Sequence, residues 1–143
     1  MSIKNVKQIT DYPVKVLVAF AEALDGKDNF YQWLFKNGYP ELSALSSSIK
    51  ANEEAFDWLM KRNFQHFAAF SNALDKDEKA WEWLKKNNFD FLIILAEAST
   101  GKKESMDWLI KNQLQVFAMI ATRIKIIKDQ LDFDYEDYHK IHF

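Results

Sequence analysis

A Trp-Leu pair recurs every 25 residues through most of the chain, at Trp33-Leu34, Trp58-Leu59, Trp83-Leu84 and Trp108-Leu109. A Lys follows each Trp by three residues, and apolar residues follow it by 6, 9 and 12 residues. A fixed period of this length is typical of tandem structural repeats, in which each unit buries its apolar face against the next unit. The repeat therefore constrains the architecture more than any other feature of the sequence.

Each unit contains two segments with helical periodicity. The segment PELSALSSSIK (40–50) is apolar or small on almost every side, which is typical of a helix buried all round. The segment NEEAFDWLMKR (52–62) is amphipathic. Short polar linkers separate the segments, and their Gly and Asn residues suit helix ends that turn left-handed. Thr100 and Asp75 are predicted to cap the helices that follow them.

These segments predict an all-α fold, an α-solenoid of about four and a half helical hairpins, or nine short helices. A longer helix within residues 117–132 is expected to cap the array. The repeat domain is predicted to cover residues 12–131, followed by an acidic and aromatic tail, residues 132–143. The tail aromatics are expected to pack on the last hairpin or to form a short motif for a partner; they are Phe133, Tyr135, Tyr138 and Phe143.

The outer segments carry acids and bases spaced four residues apart, which is the favourable order for helical ion pairs. We expect them to form solvated surface pairs; they are Asp57–Lys61, Glu82–Lys86 and Asp107–Lys111. The Trp column has two interpretations. It packs in the core between units, or it lines an aromatic groove for a peptide or a hydrophobic ligand.

Composition argues against several classes of function. The 19 Lys and Arg nearly balance the 21 Asp and Glu, so no strong charge attracts nucleic acid or an anionic membrane. No Cys is present, which excludes disulfides and thiolate metal sites. The start of the chain has no signal-peptide pattern and no apolar run is long enough to span a membrane, so a cytoplasmic protein is expected.

A search for chemistry finds no catalytic, nucleotide-binding or metal-binding motif, so no enzyme, cofactor or metal is expected. His66 is expected to be a surface or semi-buried substitution in its column. The tail carries Asp132, Asp134, His139 and His142, but their spacing matches no defined metal site.

The unit LAEASTGKKESMDWLIKN (95–112) resembles the short helical tandem repeats of uncharacterised bacterial proteins. It is also similar to α-solenoid families such as the HEAT and tetratricopeptide repeats, whose units are longer. The resemblance spans about residues 14 to 130 and implies a binding or scaffolding role.

The sequence therefore predicts a non-enzymatic module that binds a protein or peptide partner, with a nucleic-acid-binding repeat protein as the alternative. Two columns on the inner segments are candidate contact positions: Val16, Glu41, His66, Phe91 and Val116 in one, and Ala19, Ala44, Ala69, Ile94 and Met119 in the other. Small residues in the second column would let a partner approach. Phe91, Ile94 and Met119 are large where other units are small or polar, which predicts an interface with a partner or with a second copy. The alternative is that the C-terminal helix or tail covers them.

Overall fold

A computed structural model of the chain describes the backbone of residues 6–142 and the side chains of residues 6–135. This part contains nine α-helices and no strand. They are α1 (Val14–Leu24), α2 (Asp28–Lys36), α3 (Pro40–Ile49), α4 (Glu53–Lys61), α5 (Gln65–Leu74), α6 (Glu78–Lys86), α7 (Asp90–Ser99), α8 (Lys103–Lys111) and α9 (Gln115–His142). A 3-10 turn, Ile9–Asp11, precedes α1. The prediction of an all-α helical repeat is confirmed, with the difference that the ninth segment and the capping helix are one continuous helix of 28 residues.

Each pair of successive helices is joined by three residues, and the middle one has a positive φ. These eight residues are Gly26, Gly38, Ala51, Asn63, Lys76, Asn88, Gly101 and Gln113. The amide of the third linker residue donates to a carbonyl five residues back, as from Phe64 to Leu59 at 2.9 Å. This bond and the left-handed residue form a Schellman C-cap, which satisfies carbonyls at the helix end.

The linker geometry decides two of the sequence predictions. Asn63 and Asn88 are left-handed, as their position at the helix ends predicts. The N-cap predictions for Asp75 and Thr100 are wrong, because both residues are C-caps of the preceding helices. The C-cap uses all three linker residues, so the next N-cap comes two residues later, at Asp77 and Lys102.

The odd-numbered helices are buried and the even-numbered helices cover them, as their patterns predict. Each inner helix packs on the next inner helix, and α9 also packs on α1. The five inner helices therefore form a closed ring. The side chains nine and twelve residues after each Trp position fill it, among them Phe67, Phe70, Leu92 and Ile120. Each outer helix contributes the Leu of its Trp-Leu pair, and all four of these Leu side chains are fully buried.

An ion-pair cluster joins the first inner helix to the last. The guanidinium of Arg123 lies 2.9 Å from Glu22 and 3.2 Å from Asp25, which are about a hundred residues away in the chain. Lys27 forms a further ion pair with Glu22. Hydrogen bonds from Lys27 and Arg123 hold the pKa of Glu22 below its ordinary value. The cluster thus fixes the register of α9 against α1.

Helix α9 leaves the ring after leaning across its nearby end. Lys128 forms an ion pair with Asp75 at the end of α5, at 2.9 Å. Farther along, Phe133 and Tyr135 are exposed, so the expectation that they pack on the last hairpin is wrong. They lie on a helix that continues straight past the domain. The side chains of Tyr138, His139, His142 and Phe143 lie outside the described residues.

Replacing Ala51 by Gly is expected to stabilise the fold. A left-handed conformation costs an L-residue about 1–2 kcal/mol, and glycine's greater freedom in the unfolded chain offsets about 0.5–1 kcal/mol of the gain. Urea unfolding of Ala51→Gly should show a free energy of unfolding about 0.5–1 kcal/mol above that of the wild type. The matched control is Ala118→Gly inside α9, which should lose about as much. Equal losses in both variants would contradict the assignment of Ala51 as a left-handed cap.

Candidate functional site

The N-terminal segment, residues 6–12, covers part of the first candidate column. The hydroxyl of Tyr12 donates to Oε2 of Glu41 at 2.6 Å, and both residues are buried. Nε2 of His66 donates to the Lys7 carbonyl at 2.7 Å. His66 is only 1% exposed, so the expectation of a surface or semi-buried residue is wrong. The segment precedes the first repeat unit, so the periodic pattern contains no signal for this contact.

Burial governs the titration of these covered groups. His66 stacks on Phe89 with ring centroids 5.1 Å apart, and burial lowers its pKa while the bond to Lys7 partly opposes that shift. Burial also raises the pKa of Tyr12, and the hydrogen bond to Glu41 raises it further. The Lys7 ammonium lies 4.3 Å from the centre of the Tyr12 ring. This end of the ring is therefore closed by the chain itself.

Phe91, Ile94 and Met119 are half-buried and pack against the core. Phe91 contacts Phe117 edge to face, with centroids 4.8 Å apart, and lies 6.5 Å from Trp108. Its cover comes from the first turns of α9 and from α8. The fold-back of the tail that the sequence left open as an alternative is not the source of this cover.

The Trp side chains lie at the edge of the core. Trp33, Trp58 and Trp83 are half-buried, Trp108 is exposed, and the neighbouring Leu column fills the seam between helices. Trp58 and Trp83 each stack on the aromatic residue that ends their linker, at 6.4 Å from Phe64 and 5.6 Å from Phe89. Stacking fixes one face of each indole and leaves the rest facing outward.

Two equivalent grooves run between neighbouring outer helices. The first groove lies between α2 and α4, with walls of Tyr31, Phe35 and Trp58 and a floor of Pro40, Ala44 and Ser47. The second groove lies between α4 and α6, one repeat later, with walls of Phe56, Met60 and Trp83 and a floor of Gln65, Ala69 and Asn72. Every one of these positions in the second groove is 25 residues after its counterpart in the first. The repeat thus places one Trp in the same role twice.

Local contacts hold the walls of the first groove in place. The hydroxyl of Ser47 donates to the Tyr31 hydroxyl at 3.1 Å, and Ser43 donates to the Tyr31 carbonyl at 2.8 Å. The guanidinium of Arg62 lies 5.1 Å from the Trp58 ring. At the outer edge, Phe35 is 60% exposed, and its counterpart Met60 in the second groove is 44% exposed. Rigid walls with exposed apolar edges suit insertion of an apolar side chain.

The second candidate column forms the floor of these grooves, which gives its small residues a structural meaning. Ala44 and Ala69 leave space between the outer helices. In the following repeat, Ile94 takes the same position, and Glu97 bridges to Ser105 at 2.9 Å and to Lys102 at 3.3 Å. The position between α6 and α8 is therefore occupied by the chain's own side chains. Ile94 also shows that the fold accepts a large residue at this place.

A row of exposed cations follows the C-terminal ends of the outer helices. We call it the basic row; it consists of Lys36, Lys61, Arg62, Lys85, Lys86 and Lys111. The expected pairs Asp57–Lys61, Glu82–Lys86 and Asp107–Lys111 are absent, and within the described residues no member of the row pairs with a carboxylate. Exposed pairs of this type gain little from contact, which is consistent with their side chains remaining apart. The row lies beside Phe35 and Met60 and gives the groove edge a positive charge.

The size of the grooves limits what they can hold. They measure about 290 Å³ and about 250 Å³, each below the usual lower limit for a small-molecule site and sufficient for one large side chain. Among the described residues no cluster of three or more His, Asp or Glu is arranged for a metal ion. None of the described helices is both long and apolar enough to cross a membrane.

The burial of His66 makes stability depend on pH. His66 titrates near its ordinary pKa of about 6.5 in the unfolded chain, and burial keeps the folded pKa lower. Between these values the unfolded state binds more protons, so the free energy of unfolding falls as the pH drops below about 6.5. The fall is at most about 1.4 kcal/mol per pH unit. Urea unfolding at a series of pH values should show a steeper loss for the wild type than for His66→Gln. His139 and His142 are common to both proteins, so equal slopes would show that His66 does not report burial.

Comparison with protein-family models, with curated proteins and with solved structures finds no match to this chain.

Proposed function

We propose that the protein is a non-enzymatic interaction module whose outer face binds apolar side chains of a protein or peptide partner. The observation that carries the proposal is the pair of equivalent grooves. Each has an aromatic wall, a small-residue floor and an exposed apolar edge. A core position has no need of such a floor, since Ile94 fills the same place in the next repeat.

The closed ring supports this placement of the binding surface. Open solenoids bind partners along a concave inner face. Here the inner helices bury one another, the N-terminal segment covers Glu41 and His66, and α9 leans over the opposite end. The outer helices are left as the face on which apolar grooves open to solvent.

The tandem arrangement explains how small grooves can bind specifically. Burying one large apolar side chain contributes about 1.5–3 kcal/mol, which alone gives weak binding. Two anchors on one partner add their contributions while the loss of translational freedom is incurred once. The first and second grooves therefore act together on a partner that presents two apolar side chains at the repeat spacing.

Filling both grooves with the chain's own side chains tests the proposal. Ala44→Ile together with Ala69→Ile copies the residue at Ile94 and should leave the protein folded, as thermal unfolding would verify. A displayed library of amphipathic helical peptides serves as the probe, and selected peptides are titrated against both proteins by calorimetry. The double variant should bind them at least about a hundredfold more weakly, because two anchors are lost.

Thr122→Ile is the matched control, because it adds the same side chain at an exposed position away from the grooves. It should bind the selected peptides like the wild type. Selected peptides that bind the double variant equally well, or a library that gives no specific binder, would contradict the proposal.

Nucleic acid is the alternative partner, and the basic row is the observation in its favour. The acidic residues at the opposite ends of the outer helices, such as Glu53, Glu54 and Glu78, would repel a phosphate backbone. Titration of labelled duplex and single-stranded DNA and RNA separates the two functions. Tight binding that Lys61→Glu abolishes and groove filling leaves intact would favour the alternative and contradict the protein-binding proposal.

A further inference from the structure

The extension of α9 is the other apolar surface that the fold leaves open. The inner helices α3, α5 and α7 have ten residues each, whereas α9 continues to His142. After Lys128 its side chains have left the ring. Ile126 and Phe133 are each 62% exposed, although both are large and apolar. A helix that projects with such residues exposed indicates a contact with another molecule.

The spacing of these two residues matches the spacing of the grooves. Seven residues of an α-helix span about 10.5 Å and return the side chain to within about 20° of the same direction. Neighbouring packed helices lie about 8–10 Å apart, and the first and second grooves are displaced by one outer helix. A helix that crosses α2, α4 and α6 can therefore place Ile126 in one groove and Phe133 in the other.

Charge complementarity selects the same helix as the occupant. From residue 129 to residue 137 the chain carries acids and no Lys or Arg; the acids are Asp129, Asp132, Asp134, Glu136 and Asp137. Asp129, Asp132 and Asp134 are exposed. The basic row borders the grooves with six cations that have no carboxylate partner within the described residues. An acidic helix laid across the grooves meets this row.

We propose that the α9 extension of a second copy of this chain docks across the outer grooves, with Ile126 and Phe133 as anchors and its carboxylates facing the basic row. The inference rests on the proposed function and names its partner. Each copy then carries both halves of the contact, the extension and the grooves. Association of identical chains through two different patches is a heterologous contact unless a two-fold axis pairs them reciprocally.

Sedimentation of the full chain over a range of concentrations tests the inference with three variants. Ile126→Ser with Phe133→Ser removes the anchors, and Ala44→Ile with Ala69→Ile fills the grooves. Each double variant alone should lose self-association by at least about a hundredfold. Val14→Ser, which removes an apolar side chain that is 64% exposed on α1, should associate like the wild type.

Mixing the two double variants gives the decisive result. One has intact grooves and the other an intact extension, so the mixture should regain a complex that neither forms alone. Association should also weaken as salt is raised, because screening reduces the attraction between surface charges. A wild type that stays monomeric at every concentration, or a mixture that fails to associate, would overturn the inference. Neither result bears on the peptide titrations, so failure of the self-contact is distinguishable from failure of the proposed function.

Discussion

The left-handed residue in every linker is the constraint on which the rest of the structure depends. Helices of nine or ten residues are marginal in isolation, so each must end sharply and return to pack on its neighbour. Three residues achieve this at every junction because the middle one takes a positive φ and the third closes a bond to the preceding helix. Gly and Asn supply five of the eight positions at low strain, and Ala51, Lys76 and Gln113 take the same conformation at a cost. Uniform linkers keep each helix in the same phase, which allows one Trp position to recur in the same role.

Closure of the inner ring determines where binding can occur. In an open array the inner helices would present a continuous face to a partner. Here the ion pairs of Arg123 join α1 to α9, and the contacts of Tyr12 and Lys7 seal one end. The core gains a complete set of neighbours, while chemical variety moves to the outer helices. The Ala residues at positions 44 and 69 then read as space kept open, and Ile94 as the same space filled.

The fold was predictable from the sequence because it depends on local, repeated features. Helical periodicity, the 25-residue spacing and the asparagines at helix ends all report short-range geometry. The burial of His66 was not predictable, because it depends on a non-repeated segment that crosses the ring from 59 residues away. The grooves were only partly predictable: the Ala column and the Trp column were identified, but their meeting across α2 and α4 requires the packing of adjacent units. The ion pairs expected at four-residue spacing failed because spacing permits such a contact without making it favourable in water.

The pairing of α1 with α9 also fixes how many repeats the protein can contain. An open array gains stability with each added unit, and its parts can unfold one after another. A closed ring has no free end at which to insert a unit, since an extra 25 residues would separate Arg123 from Glu22 and Asp25. Growth by duplication, the usual route by which repeat proteins lengthen, is therefore blocked for this architecture. Its evolution is confined to substitution within the existing units, and the loss of symmetry between Ala69 and Ile94 is a change of that kind.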